Sequence, residues 1–188
     1  LDERETRTTA ASGAMARLRP GYFDVLRNVS GGTLYPDANS TLRLTFGRVA
    51  GYSPKDATWL TPQTSLAGLL QKEKGEAPFA NPTALLSAAK ESAKTRPYVD
   101  PELKDVPVNF LSTCDTTGGN SGSPTLNAKG ELVGLLFDGN YESIDADFLF
   151  NPAVTRSIHV DAQYMLWVMD AVDNADELLK ELGVEPKV

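Results

Sequence analysis

The chain has 188 residues, 41% of them hydrophobic, a length that allows one or two domains with a real core. Its 18 Lys and Arg against 25 Asp and Glu leave a formal charge of -7, which argues against nucleic acid as a partner because such proteins carry a basic footprint. No apolar run approaches the ~20 residues of a membrane-spanning helix, and a single cysteine, Cys114, excludes a disulfide within the chain.

The chain opens Leu1-Asp2-Glu3-Arg4-Glu5, without a methionine, an apolar signal segment or a cleavage motif. Ala, Arg, Glu and Met make residues 2–18 helix-permissive, and Pro20-Gly21 is expected to end that helix before a second short one over residues 22–29. From Thr41 every second residue is apolar (Leu42, Leu44, Phe46), the pattern of a half-buried strand continuing to Tyr52. Leu66, Leu69 and Leu70 stand at helical spacing within residues 64–74, and Asn81-Pro82 reads as an N-cap with proline in the first turn of a helix reaching Lys94. Cys114 ends a strand-like run over residues 106–114 and reads as a small core residue. Asp161 caps an apolar helix through Tyr164, Leu166, Trp167 and Met169, and Asn174 starts the last helix, ending near Gly183. The sequence is thus α-rich at its start, β-rich at its centre and helical at its end, without internal repeats or a cofactor- or metal-binding pattern.

The most informative stretch is Gly118-Gly119-Asn120-Ser121-Gly122-Ser123-Pro124. Two glycines before a serine permit a tight backbone that aims successive N–H groups into one small space, as an oxyanion hole requires. A hairpin follows: Thr125-Leu126-Asn127, a turn at Ala128-Lys129-Gly130, and a strand over residues 131–137 that gives way to Asp138-Gly139-Asn140. A serine on a loop feeding a hairpin is the layout of a chymotrypsin-like second barrel. An α/β-hydrolase would need Gly-x-Ser-x-Gly followed by a helix, and here position 123 is Ser and a hairpin follows.

A serine nucleophile needs an adjacent base, usually a histidine oriented by a carboxylate. The single histidine, His159, comes after the serine in an alternating run over residues 155–160, and reads as an ordinary strand residue. The chymotrypsin order puts histidine and aspartate before the serine. The chain is therefore expected to be the C-terminal portion of a longer enzyme, inactive alone.

Residues 35–43 (Tyr35-Pro36-Asp37-Ala38-Asn39 onward), residues 117–124, residues 137–143 and the Ile158-His159-Val160-Asp161 segment with its apolar helix resemble the bacterial family that includes dipeptidyl-peptidases 7 and 11. The resemblance runs from about Tyr35 to the C-terminus, with a departure at Ile144-Asp145-Ala146 where a more glycine-like loop is the family's pattern. It implies a chymotrypsin double barrel with an inserted helical domain: residues 1–37 would end the helical domain and residues 38–188 would complete the peptidase domain. It implies periplasmic or cell-surface homodimers that release dipeptides from the free N-termini of peptides, with the catalytic histidine and aspartate upstream. Ser121 would be the nucleophile, the N–H groups of Gly119 and Ser121 the oxyanion hole, and Asp138 the carboxylate that binds the substrate's amine. Gly139 matches the position that carries arginine in members cleaving after acidic residues, so glycine there implies a hydrophobic or uncharged residue before the cleaved bond. Two alternatives stay open on the residues themselves: a chymotrypsin-type endopeptidase, in which Asp138 binds no amine, and a non-catalytic peptide-binding module on the same fold.

Overall fold

The computed structural model of the chain describes residues 2–32, 34 and 42–188. It divides into two units, Leu1–Arg43 and Leu44–Val188.

The first unit is built on one helix, α1 (Glu3–Val29). Asp2 caps it, its carboxylate accepting from the Arg4 N–H at 3.2 Å, and Glu3 and Glu5 sit at the positive end of the helix dipole. The stop expected at Pro20-Gly21 does not occur, and α1 takes in both the predicted segments. Pro20 forfeits its own hydrogen bond and crowds the preceding turn, yet the helix runs on through it to Val29. The helix ends where Gly31 takes φ +71° and the Gly32 N–H closes on the Arg27 carbonyl at 2.7 Å. Met15, Leu18, Tyr22, Val25 and Val29, spaced alternately by three and four residues, form an apolar seam that stays exposed.

In the second unit, β1 (Gln63–Ser65) runs directly into α2 (Leu66–Gln71), with Ser65 as its cap. The helix predicted over residues 81–94 is split into α3 (Thr83–Lys90) and α4 (Ser92–Thr95) by extended backbone at Glu91. Asn81 does not cap α3, because its side chain is taken by the Glu73 carboxylate. Then come β2 (Pro107–Ser112), β3 (Pro124–Leu126), β4 (Leu132–Gly139) and β5 (Ser157–Asp161). These five strands make one antiparallel sheet in the order β1-β2-β5-β4-β3.

The strand expected from Thr41 to Tyr52 is not formed: Thr41 lies outside the described residues, and only Val49 and Tyr52 make isolated bridges, to Ser112 and Leu60. The alternation is present, but Leu42, Leu44 and Phe46 are 90, 72 and 85% exposed, so among the described residues this apolar face has nothing to pack on. Residues 35–41, the first part of the family-like segment, lie outside the described residues as well.

Asp161 caps α5 (Ala162–Trp167) as predicted, accepting from the Gln163 N–H at 2.8 Å. A π-helical turn, Val168–Val172, follows and brings the Asp170 carboxylate to the Tyr98 hydroxyl and to the N–H groups of Lys187 and Val188. The final helix, α6 (Asp176–Glu181), starts beyond Asn174, which takes φ +51° instead of capping it. The core gathers Leu66, Leu85, Ala88, Tyr98, Val106, Val108, Trp167 and Ala171, so α2, α3, α5 and the π turn pack beside the start of β2. That packing anchors β2, the strand that leads into the loop carrying Ser121.

Candidate active site

Ser121 stands on the loop between β2 and β3, exposed to solvent. The loop is laid against β4: the Gly122 N–H donates to the Leu136 carbonyl at 2.7 Å, and the Leu136 N–H to the Ser123 carbonyl at 3.0 Å. Within the loop, Asn120 ties both ends, its side chain accepting from the Thr117 N–H at 2.9 Å and its carbonyl from the Ser123 N–H at 3.0 Å. Gly119 (φ +94°) and Gly122 (φ +85°) take backbone conformations that other residues rarely adopt. The N–H groups of Gly119 and Ser121 make no hydrogen bond among the described residues, so both are free to meet developing charge on a substrate.

The predicted turn is in place, with Gly130 at φ +82° and Asn127 accepting from the N–H groups of Lys129 and Glu131. Along β4, Asp138 lies two residues beyond Leu136, about 7 Å at strand rise. A bulge between Leu136 and Asp138 shifts the register against β5. A bulge re-aims the residue that follows it, and here Leu136 is buried whereas Asp138 is exposed. The Asp138 carboxylate accepts from the Gly139 N–H at 2.8 Å through one oxygen. The serine loop is thus hydrogen-bonded to the strand that carries the Asp138-Gly139 edge. A Cβ at Gly139 would run into the Ser143 hydroxyl.

His159 is no base for Ser121 in this arrangement. It is 2% exposed, on the central strand β5, with Nε2 2.8 Å from the Ser112 hydroxyl and Nδ1 2.7 Å from the Thr125 hydroxyl. Its ring stacks on Phe110 at 4.7 Å, and burial lowers its pKa to about 4. Thr125 sits on β3 and reaches β5 past Gly134 of β4, where a Cβ would lie 2.7 Å from the Phe110 ring. His159 therefore clamps β2 and β3, the strands that enter and leave the loop carrying Ser121. Ser157 supports the entering side, with its hydroxyl 2.6 Å from that of Thr116 and donating to the Cys114 carbonyl at 2.8 Å.

Sequence reasoning named Asn140 only within the Asp138-Gly139-Asn140 stretch and did not single out Arg156; the two are 8% and 5% exposed beside Gly139. An arginine directly before a short strand carries no pattern of its own. The one signal was the position of Asn140, next to Asp138-Gly139.

Residues 2–184 match the Peptidase S46 family. Over 195 residues the chain is 45% identical to an Asp/Glu-specific dipeptidyl-peptidase of Shewanella putrefaciens, covering 92% of this chain and 27% of that protein. It is 41% identical over 149 residues to a dipeptidyl-peptidase 7 of Phocaeicola vulgatus, covering 79% of this chain and 20% of that protein. The crystal structure of Porphyromonas endodontalis DPP11 with the dipeptide Arg-Glu superposes with a TM-score of 0.87 at 33% identity, over 96% of this chain and 26% of that one. The chain spans about a quarter of the length of these relatives. Asp/Glu-specific names among them run against the uncharged preference inferred from Gly139.

Proposed function

The chain belongs to the Peptidase S46 family, and we propose that it is the nucleophile-bearing C-terminal part of a serine dipeptidyl-peptidase. The observation that carries this reading is the union on β4 of a solvent-facing serine loop with two uncommitted N–H groups and an exposed carboxylate two residues along the strand. Ser121 attacks the carbonyl of the scissile bond, and the N–H groups of Gly119 and Ser121 receive the negative charge that forms on its oxygen. The base and its orienting carboxylate come from residues preceding this chain. With them the sheet described here would complete a chymotrypsin-like double barrel, and α1 would close a helical domain.

A peptide's α-amino group has a pKa near 7.7–8.0 and is largely a cation at neutral pH. Asp138, with one oxygen held by its neighbour's N–H, offers the other to that cation at a fixed separation from Ser121. This fixed separation makes the enzyme count two residues. The same resemblance supports a homodimer acting in the periplasm or at the cell surface, which sedimentation and cell fractionation check.

The residue before the cleaved bond meets Gly139, which supplies no cation. Nearby Arg156 has its guanidinium on backbone carbonyls, and none of its donors is left for a substrate carboxylate. We therefore keep an uncharged or hydrophobic residue as the preferred one, against the acidic preference in the relatives' names.

The decisive experiment uses the full-length protein with dipeptidyl substrates ending in Leu, Phe, Asp or Glu, each with a free or an acetylated N-terminus. Free substrates ending in Leu or Phe are expected to be cleaved, and their acetylated forms to be poor. Asp138→Ala should lower kcat/KM roughly tenfold to a few hundredfold on free substrates, since hydrogen bonds to charged groups are worth ~1.5–3 kcal/mol. Ser121→Ala should abolish turnover while leaving binding largely intact. Equal cleavage of free and acetylated forms would point to an endopeptidase, and a preference for Asp or Glu would refute the assignment of Gly139.

A further inference from the structure

Arg156 is a buried cation without an acidic partner among the described residues, yet all five of its side-chain N–H donors are used. Nε donates to the Ala50 carbonyl at 3.1 Å. Nη1 donates to Pro152 and Thr155 at 3.0 and 2.7 Å, and Nη2 to Gly51 and Ala153 at 2.9 and 3.3 Å. Its guanidinium also lies over the Tyr52 ring, 5.5 Å from the centroid. One side chain therefore ties residues 50–52 to residues 152–156.

The backbone of Arg156 does a second job. Gly139 pairs with Ser157 at the end of the β4–β5 ladder, and the next rung is made with Asn140. The Asn140 N–H donates to the Arg156 carbonyl at 2.9 Å, and the Arg156 N–H returns to the Asn140 side-chain oxygen, also at 2.9 Å. The Asn140 amide then donates to the Val154 carbonyl at 2.7 Å and to Glu142 at 2.9 Å. The same Glu142 oxygen accepts from the Tyr52 hydroxyl at 2.7 Å, which closes the ring of contacts on residues 50–52. Asp138 and Gly139 are the last residues of β4 before this knot.

We propose that Arg156 is a positioning residue for substrate recognition, holding the Asp138-Gly139 edge at its set place through Asn140, Glu142 and Tyr52. The proposal rests on the reading of Asp138 as the carboxylate that meets the substrate's amine. Recognition by a fixed distance needs a rigid edge, and strand pairing alone ends at Gly139. The planar five-donor fork of arginine serves five carbonyls on two separate segments at once. Lysine has three donors on one nitrogen and cannot span them.

The test is a double-mutant cycle in the full-length protein, reading kcat and KM on a free-amine dipeptidyl substrate. Arg156→Lys keeps the charge but not the fork, and is expected to lower kcat/KM roughly ten- to a hundredfold, the scale of an ångström's misplacement, with most of the change in KM. In the Asp138→Ala background the same substitution should cost no more than about twofold, because the edge no longer carries the group being placed. Tyr52→Phe removes only the hydroxyl that holds Glu142 and should repeat this pattern on a smaller scale, including where Arg156→Lys does not fold. Equal losses with and without Asp138, or no loss in either, overturn the proposal. If Asp138→Ala alone leaves kcat/KM unchanged, the amine reading itself has failed, and the proposal falls with it.

Discussion

At Gly139, if it meets the residue before the cleaved bond as proposed, the absence of a side chain would set both the space and the charge offered there. An Asp or Glu side chain entering there would shed water without gaining a cation, which is unfavourable. Gly139→Arg supplies the missing guanidinium, and it should raise kcat/KM for substrates ending in Asp or Glu by the equivalent of ~1.5–3 kcal/mol while lowering it for Leu and Phe. The structure adds a condition that the sequence did not carry. The new Cβ meets the Ser143 hydroxyl, which donates to the Asn140 carbonyl at 2.7 Å. That hydroxyl has to rotate away, giving up a hydrogen bond worth roughly 1 kcal/mol. Pairing the change with Ser143→Ala should therefore recover stability lost by Gly139→Arg alone, measured as the thermal midpoint of the two variants. An unchanged substrate profile in a folded Gly139→Arg protein would mean that position 139 does not face the substrate.

At the scale of elements, the loop carrying Ser121 owes its placement to strands that a buried histidine joins. His159 binds hydroxyls on β2 and β3 with its two ring nitrogens, and burial lowers its pKa from the usual 6.5 to about 4. The unfolded chain then binds more protons than the folded one between about pH 6.5 and pH 4, so stability falls as pH drops through that window and is level above it. At 1.36 kcal/mol per unit the full effect is at most roughly 3 kcal/mol. Denaturant titrations of wild type and His159→Gln at pH 4.5 and 7.5 read it directly, since the variant should lose this share of the acid sensitivity. Equal acid sensitivity in both proteins would show that His159 is not protonated on unfolding.

The hairpin, β5 and the Asp161 cap were legible because each has a local cause: alternation, turn residues, a capping carboxylate. The continuity of α1 through Pro20 was not, since Pro20-Gly21 is locally a helix-ending pair and the helix nonetheless runs through it. Nor was the fate of residues 42–48, whose alternation calls for a partner surface that the described residues do not contain. Gly119 and Ser121 could be named from the glycine-serine motif and Asp138 from the family resemblance, and the activity measurements on their variants decide their roles. The knot around Arg156 could not be named, because it joins residues more than a hundred positions apart.

For the molecule as a whole, the decisive feature is how the site's parts are divided along the polypeptide. The described residues provide a serine on a shaped loop, two uncommitted N–H groups and the exposed Asp138 carboxylate proposed to meet the substrate's amine, but no base directed at Ser121. The only histidine has both nitrogens committed to Ser112 and Thr125, and Phe110 covers one face of its ring. A serine hydroxyl without a base is a weak nucleophile near neutral pH. The 188-residue chain produced alone should therefore release no dipeptides and should label poorly with a fluorophosphonate probe, whereas the full-length protein should label at Ser121. Folding of the isolated chain has to be established alongside, by the near-ultraviolet dichroism of fully buried Trp167 and Tyr98, because an unfolded chain would also fail to label. A chain that shows this signal and stays unlabelled supports division of the catalytic machinery. Labelling of the isolated chain at the rate of the full-length protein would mean that a residue of these 188 activates Ser121, and the argument that the base lies upstream would be wrong.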